Sequence, residues 1–328
     1  MSLVRNVLRP VTAPVLLADV GGTYSRFALT GVDGRPERII TFANDEFAGL
    51  DAAILSYFQE LETRPDAAVL AVAGPVNGQE IALTNRAWRF RLGDLATTLG
   101  LSRIYAINDF EALAWALSRL QQNEMRRLGN GVAGLVPEGA KLVLGPGTGL
   151  GVAALVPAGD RWQAVASEGG HASFGAATSE EEPVFAHLRT RGRVTAETVL
   201  SGPGLARLHV ALHPGTVPLA PETIVAHAEA GDRVALATIR LFVRLLGRFA
   251  GDVALTFKAT GGVYITGGVA LGLGALLDEN IFREAFENHP PYAAMLAAVP
   301  TYLVTCGQPG LVGCAALAEL GEGVFSGN

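Results

Sequence analysis

The chain has 328 residues, 49% of them hydrophobic and 17% charged, enough to bury roughly three quarters of the unfolded surface and usually to form two domains. Its formal net charge of −6 argues against a basic face for nucleic acid or an anionic membrane. Only Lys141 and Lys258 are lysines, and no G-x-x-x-x-G-K-[ST] run occurs, which excludes a P-loop nucleotide site. Any phosphate must therefore be held by local geometry and a metal ion. Cys306 and Cys314 fit no common zinc spacing and read as free thiols in a reducing compartment, the cytoplasm.

Arg5 and Arg9 precede an apolar run that resembles a signal peptide, but Pro10 and Pro14 interrupt it and Asp19 ends it. Residues 15–20 are a short apolar strand that breaks at Gly21-Gly22 and resumes at Phe27-Ala28-Leu29-Thr30. A third strand is expected at residues 39–42 and an amphipathic helix at 50–60, with Ile54, Leu55 and Phe58 on one face. Residues 67–73 and 104–107 read as buried strands, the second running into a helix over 110–120. The pattern then repeats. Leu142-Val143-Leu144 enters Gly145-Pro146-Gly147-Thr148-Gly149 and leaves through residues 152–156. A third glycine turn, Gly267-Gly268, follows Val263-Tyr264-Ile265-Thr266. The uncharged stretches 142–159 and 259–277 approach membrane-span length, but their glycines favour buried strands joined by turns. A helical stretch over 221–257 breaks at Gly231, and residues 309–320 form a last helix. Repeated strand–turn–strand units predict a duplicated α/β fold with a cleft between its halves.

A tight turn containing Gly21-Gly22 points backbone N–H groups into a concavity that no Cβ obstructs, so it can hold phosphate without a lysine. Thr23 adds a hydroxyl, and Asp19 could hold Mg²⁺ through water. The second turn has Leu144 where the first has Asp19, so a single metal suffices. One such turn is more often an ordinary hairpin; two, each with a threonine, favour the cradle. Asn108-Asp109 stands where a strand meets a helix, a place where α/β proteins set working groups. Asp109 there can accept a hydroxyl proton, while Asn108 and Glu111 equally have the form of a capping box. Ser167-Glu168-Gly169-Gly170-His171 offers a carboxylate and an imidazole suited to polyol hydroxyls, or is a surface loop. Glu197 taken alone reads as solvated.

These segments, in this order, resemble the bacterial glucokinase family of the hexokinase/actin-like ATPase superfamily, over residues 14–320. The resemblance rests on Leu17-Ala18-Asp19-Val20-Gly21-Gly22-Thr23, Ala71-Val72-Ala73-Gly74-Pro75-Val76, Thr84-Asn85 with Trp88, and Ile107-Asn108-Asp109-Phe110. It continues through residues 144–151, Ser167-Glu168-Gly169-Gly170-His171, residues 199–205, and Tyr264-Ile265-Thr266-Gly267-Gly268. No cysteine-rich zinc motif follows His171, as it does in the related ROK family, which places the chain in the zinc-free group.

The resemblance implies an actin-like, ribonuclease H-like ATPase fold of two α/β domains flanking a cleft. The small domain would be residues 1–108 plus 309–328, and the large domain 109–308. It implies ATP-dependent phosphorylation of glucose to glucose 6-phosphate with Mg²⁺. Asp109 would be the general base, and Asn108, Glu168, His171 and Glu197 would hold glucose hydroxyls. Ala18, Asp19, Val20, Gly21, Gly22 and Thr23 would form the first phosphate segment, Gly145, Gly147, Thr148 and Gly149 the second, and Gly267-Gly268 would fall in the adenosine segment. A homodimer through the long helix is implied as well, with no nucleic-acid or membrane partner. Alternatives are a kinase for mannose, fructose or an N-acetyl amino sugar, a sugar-responsive regulator, and a filament-forming ATPase.

Overall fold

The computed structural model describes residues 14–76, 78–84, 86–129 and 138–321. Arg5, Arg9 and Asn85 lie outside them. The described chain groups into two compact units, one drawn from Met1–Leu120 and Gly307–Asn328 and the other from Gln121–Cys306.

The first unit begins with β1 (Val15–Val20), β2 (Tyr24–Thr30) and β3 (Pro36–Ala43), then α1 (Leu50–Gln59) and β4 (Ala67–Val72). A small hairpin of β5 (Glu80–Ala82) and β6 (Arg89–Arg91) precedes α2 (Leu92–Leu99), β7 (Arg103–Asn108) and α3 (Asp109–Ala116). Its main sheet has the order β3-β2-β1-β4-β7. The first three strands are antiparallel, while β1, β4 and β7 run parallel. Parallel strands are covered on both faces, which is why β1 and β4 read as nearly unbroken apolar runs. Leu16, Ala18 and Val20 point into a core with Phe27, Ile54, Tyr57 and Phe58.

The second unit opens with β8 (Met125–Arg127), β9 (Lys141–Pro146), β10 (Leu150–Ala158) and β11 (Arg161–Ser167). Then come α4 (Glu182–Arg189), α5 (Ala196–Val199), α6 (Gly202–Leu212), α7 (Pro221–Glu229) and α8 (Arg233–Phe257). It finishes with β12 (Val263–Ile265), α9 (Gly268–Gly272), α10 (Glu279–Glu287), α11 (Ala293–Ala298) and β13 (Thr301–Val304). The sheet order is β11-β10-β9-β12-β13-β8. Its first five strands repeat the plan of the first unit, three antiparallel and then two parallel additions. This repeated plan is the duplicated actin-like, ribonuclease H-like fold.

The break expected at Gly231 occurs, with Gly231 at φ +86° and Asp232 capping α8 by accepting from Val234 and Ala235 N–H. The stretch 259–277 holds one strand and then a helix, not strands throughout. Among the described residues no helix is long and apolar enough to cross a membrane.

The last helix, α12 (Pro309–Ala318), returns to the first unit and packs on α3. A Cβ on Gly313 would lie 1.7 Å from the Ala112 carbonyl oxygen, so the two backbones meet directly there. This contact joins α3 to the first unit. The division in the structure falls after Leu120, whereas the sequence reading placed residues from Asp109 onward in the large domain.

Candidate active site

The first glycine turn joins β1 to β2. Gly21 N–H closes it on the Tyr24 carbonyl at 3.0 Å, while the N–H groups of Gly22 and Thr23 have no partner among the described residues. Those two donors are what a phosphate nest requires. Ala18 and Val20 are fully buried and paired with β2 and β4; they support the turn and present no side chain to a ligand. Below the turn sits Asn44, also fully buried. Its Nδ2 donates to the carbonyls of Gly21 (2.8 Å) and Gly22 (3.2 Å), and its Oδ1 accepts from the Ser25 hydroxyl at 2.7 Å. Arg86 adds bonds to the Asn44 carbonyl (2.5 Å) and Asp45 (2.7 Å), with its guanidinium 4.5 Å from the Trp88 ring centre. Sequence reasoning missed Asn44, Ser25 and Arg86, because residues from three separate segments meet only in the fold.

Asp19 and Asp109 stand at the same, C-terminal end of the parallel strands β1, β4 and β7. Asp19 pairs in register with Ala71 of β4 and Ala71 with Ile107 of β7, and Asp109 follows Ile107 by two residues. Burial raises the Asp19 carboxyl above its usual range, and Arg26, 3.6 Å away, opposes this. A Cβ on Gly310 would come within 2.9 Å of the Asp19 carboxylate, so the start of α12 leaves this group room that a side chain would fill. Burial pushes the Asp109 carboxyl up to about 6; the Phe110 N–H works against the shift and the Asp19 charge adds to it.

Asn108 caps α3, but by accepting from Phe110 N–H at 2.9 Å, one residue before the position a full capping box uses. Its Nδ2 donates to the Gly74 carbonyl at 3.1 Å. Asp109 Oδ1 also accepts from Phe110 N–H, at 3.0 Å, so the cap does not leave Asp109 wholly free. The Asn108 amide also interacts with the Asp109 carboxyl and works against its upward shift, while a further lone pair of Oδ1 remains for a ligand.

In the second unit Gly145 lies within β9, paired with Gly151, and the turn closes through Gly147 N–H to the Gly149 carbonyl at 2.8 Å. Thr148 and Gly149 N–H have no partner among the described residues. Gly202 N–H at the start of α6 holds the Gly147 carbonyl at 2.8 Å. Gly267, at φ +92°, passes so close that a Cβ would lie 2.4 Å from the Pro146 carbonyl oxygen. Only glycine meets both demands.

Glu197 is only partly solvated: its Oε2 accepts from Leu150 N–H at 2.9 Å, tying α5 to the glycine turn, while about a third of the side chain stays exposed. His171 lies at the end of a 3₁₀ turn, Gly169–His171. Its Nδ1 is 4.0 Å from Glu197 Oε1, and its Nε2 is 3.9 Å from Glu168 Oε2. The structure thus brings Glu168, His171, Glu197 and the second turn together in one unit. It brings Asp19, the first turn, Asn108 and Asp109 together in the other.

Among the described residues no three or more His, Cys, Asp or Glu side chains could hold a metal ion. A Mg²⁺ bound through water and phosphate oxygens needs only one or two carboxylates, and Asp19, with the space that Gly310 leaves, fits that role.

The family model described as Glucokinase matches residues 16–320. The chain belongs to the glucokinase family. It is thereby an ATP-dependent hexose kinase. A glucokinase of Rhizobium etli is 39% identical over 319 residues, spanning 95% of this chain and 93% of its own. One from Chelativorans sp. (strain BNC1) is 41% identical over 315 residues, 93% and 91% of the two chains. The crystal structure of a glucokinase from an Antarctic psychrotroph superposes with a TM-score of 0.86 at 34% identity, covering 93% of this chain and 98% of that one.

Proposed function

We propose that this glucokinase-family protein transfers the γ-phosphoryl group of ATP to the 6-hydroxyl of glucose, with Asp109 as the proton acceptor. The observation that carries the reading is the place and state of Asp109. It sits just past the C-terminal end of β7, near Asp19, with a carboxyl raised to about 6, so it is mostly ionised at neutral pH yet basic enough to take a proton. As the C6 oxygen bonds to phosphorus and the bond to the leaving ADP oxygen breaks, the hydroxyl proton passes to an Asp109 oxygen. Asn108, Glu168, His171 and Glu197 hold the remaining hydroxyls. The N–H groups of Gly22, Thr23, Thr148 and Gly149, unpartnered among the described residues, receive phosphate oxygens, and positioning of this kind dominates a loose phosphoryl transfer. Asp19 would hold Mg²⁺ through water, and the ion would supply charge neutralisation on the phosphates. A homodimer through α8 belongs to the same reading, and sedimentation velocity tests it.

A coupled assay with glucose, mannose, fructose and N-acetylglucosamine, each with ATP, ADP or polyphosphate, tests the proposal. Glucose with ATP should give the highest kcat/KM. Preference for another hexose, or ATP hydrolysis that does not depend on sugar, would overturn it.

A further inference from the structure

Two charges of the second unit are withdrawn from solvent at a place no chemical step uses. The Glu181 side chain is 3% exposed and that of Arg248 18%, with Nη2 3.3 Å from Oε2. A buried ion pair is weak as a source of stability, since apolar side chains of similar volume often serve as well. Its geometry suggests a different use.

Both side chains grip the same short segment. Arg248 Nη2 donates to the Gly175 carbonyl at 2.7 Å, and its guanidinium lies 4.3 Å from the Phe174 ring centre. Glu181 Oε2 accepts from Ala177 N–H at 2.9 Å. Phe174 in turn meets Phe185 and Phe249 edge-on. The gripped segment begins just after His171. On its other side it is stitched to the chain around Glu197: Ala196 N–H donates to the Ala172 carbonyl and Phe174 N–H to the Val194 carbonyl, both at 3.1 Å, and Ser173 bridges Thr195. The lateral bonds join the His171 and Glu197 segments, while the buried pair anchors that assembly to α8. A planar guanidinium can bond a carbonyl, pair with a carboxylate and cover a ring at once; an ammonium cannot do all three.

We propose that Arg248, together with Glu181, is a positioning residue that anchors the joined His171 and Glu197 segments in place and so controls sugar affinity. The inference rests on the reading of His171 and Glu197 as sugar-binding residues.

The test uses full-length protein and the variants Arg248→Met, Arg248→Lys, Arg248→Met/Glu181→Gln and His171→Ala. Arg248→Met should raise the glucose KM by roughly tenfold or more, as small misplacements near a reacting group do, with the ATP KM within about twofold of wild type. Arg248→Lys should restore the ion pair but not the low glucose KM. The double variant leaves no lone buried carboxylate, so its Tm should approach wild type while its glucose KM stays high. Recovery of both Tm and glucose KM in the double variant would show that the pair is only structural and overturn the inference. A parallel rise in both KM values would overturn it as general loosening. Should Arg248→Met fail to fold, the double variant decides. An unchanged glucose KM in His171→Ala would instead defeat the sugar-site reading, and this inference with it.

Discussion

Replacing Asp109 by Asn removes one charge from a site where burial opposes that charge, and the consequence for stability can be worked out. The folded carboxyl sits at about 6 against an ordinary value of 3.8. The folded state therefore keeps a proton that the unfolded state releases. The contribution of this group is fully present below about pH 4, is lost as pH rises to about 6, and is constant above that. The gap of roughly two units corresponds to about 3 kcal/mol over the whole window. The amide that replaces the carboxyl cannot ionise, and its oxygen can still accept from Phe110 N–H. The stability advantage of Asp109→Asn over wild type should therefore grow by about 1.4 kcal/mol between pH 5 and pH 8. Urea unfolding of both proteins at pH 5, 6 and 8 measures this directly. An advantage that is flat with pH, or that shrinks, would show that Asp109 is not held in a charge-averse site.

The same carboxyl should govern the pH profile: kcat/KM for glucose should fall about tenfold per pH unit below about pH 6, and a profile flat to pH 5 would remove Asp109 as the base. Asn44→Ala leaves the Ser25 hydroxyl and the Gly21 and Gly22 carbonyls without their partner, so it should cost about 2–4 kcal/mol in urea unfolding and raise the ATP KM. Gly147 and Gly267 should separate support from binding. A Cβ on Gly147 meets nothing within 4 Å, so Gly147→Ala should change stability by less than about 0.5 kcal/mol while raising the ATP KM. Gly267→Ala strikes the Pro146 carbonyl at 2.4 Å in a left-handed backbone and should cost about 2 kcal/mol or more in thermal or urea unfolding.

Local patterns carried most of the architecture. The β1–β2 and β9–β10 hairpins were legible because each is an apolar run broken by glycines, and the α7–α8 break was legible because Gly231 interrupts a helical period. The hairpin of β5 and β6 was not, since three-residue strands leave no periodicity to read. Glu197 looked solvated because its partner, Leu150 N–H, lies 47 residues away. The attachment of α3 to the first unit is decided by the meeting of Gly313 with Ala112, which sequence spacing alone does not reveal. Asp109 and Asp19 were recognisable as strand-end acids. Their common place at the C-terminal strand ends comes from the pairing of β1 with β4 and of β4 with β7, and burial raises both.

Turnover and glucose affinity of Asp109→Ala, measured side by side, test the central claim most directly. Loss of the proton acceptor should lower kcat by about 10²-fold or more, while the glucose Kd from calorimetry stays within a few-fold of wild type. A near-normal kcat, or a loss of activity explained wholly by lost glucose binding, would contradict it.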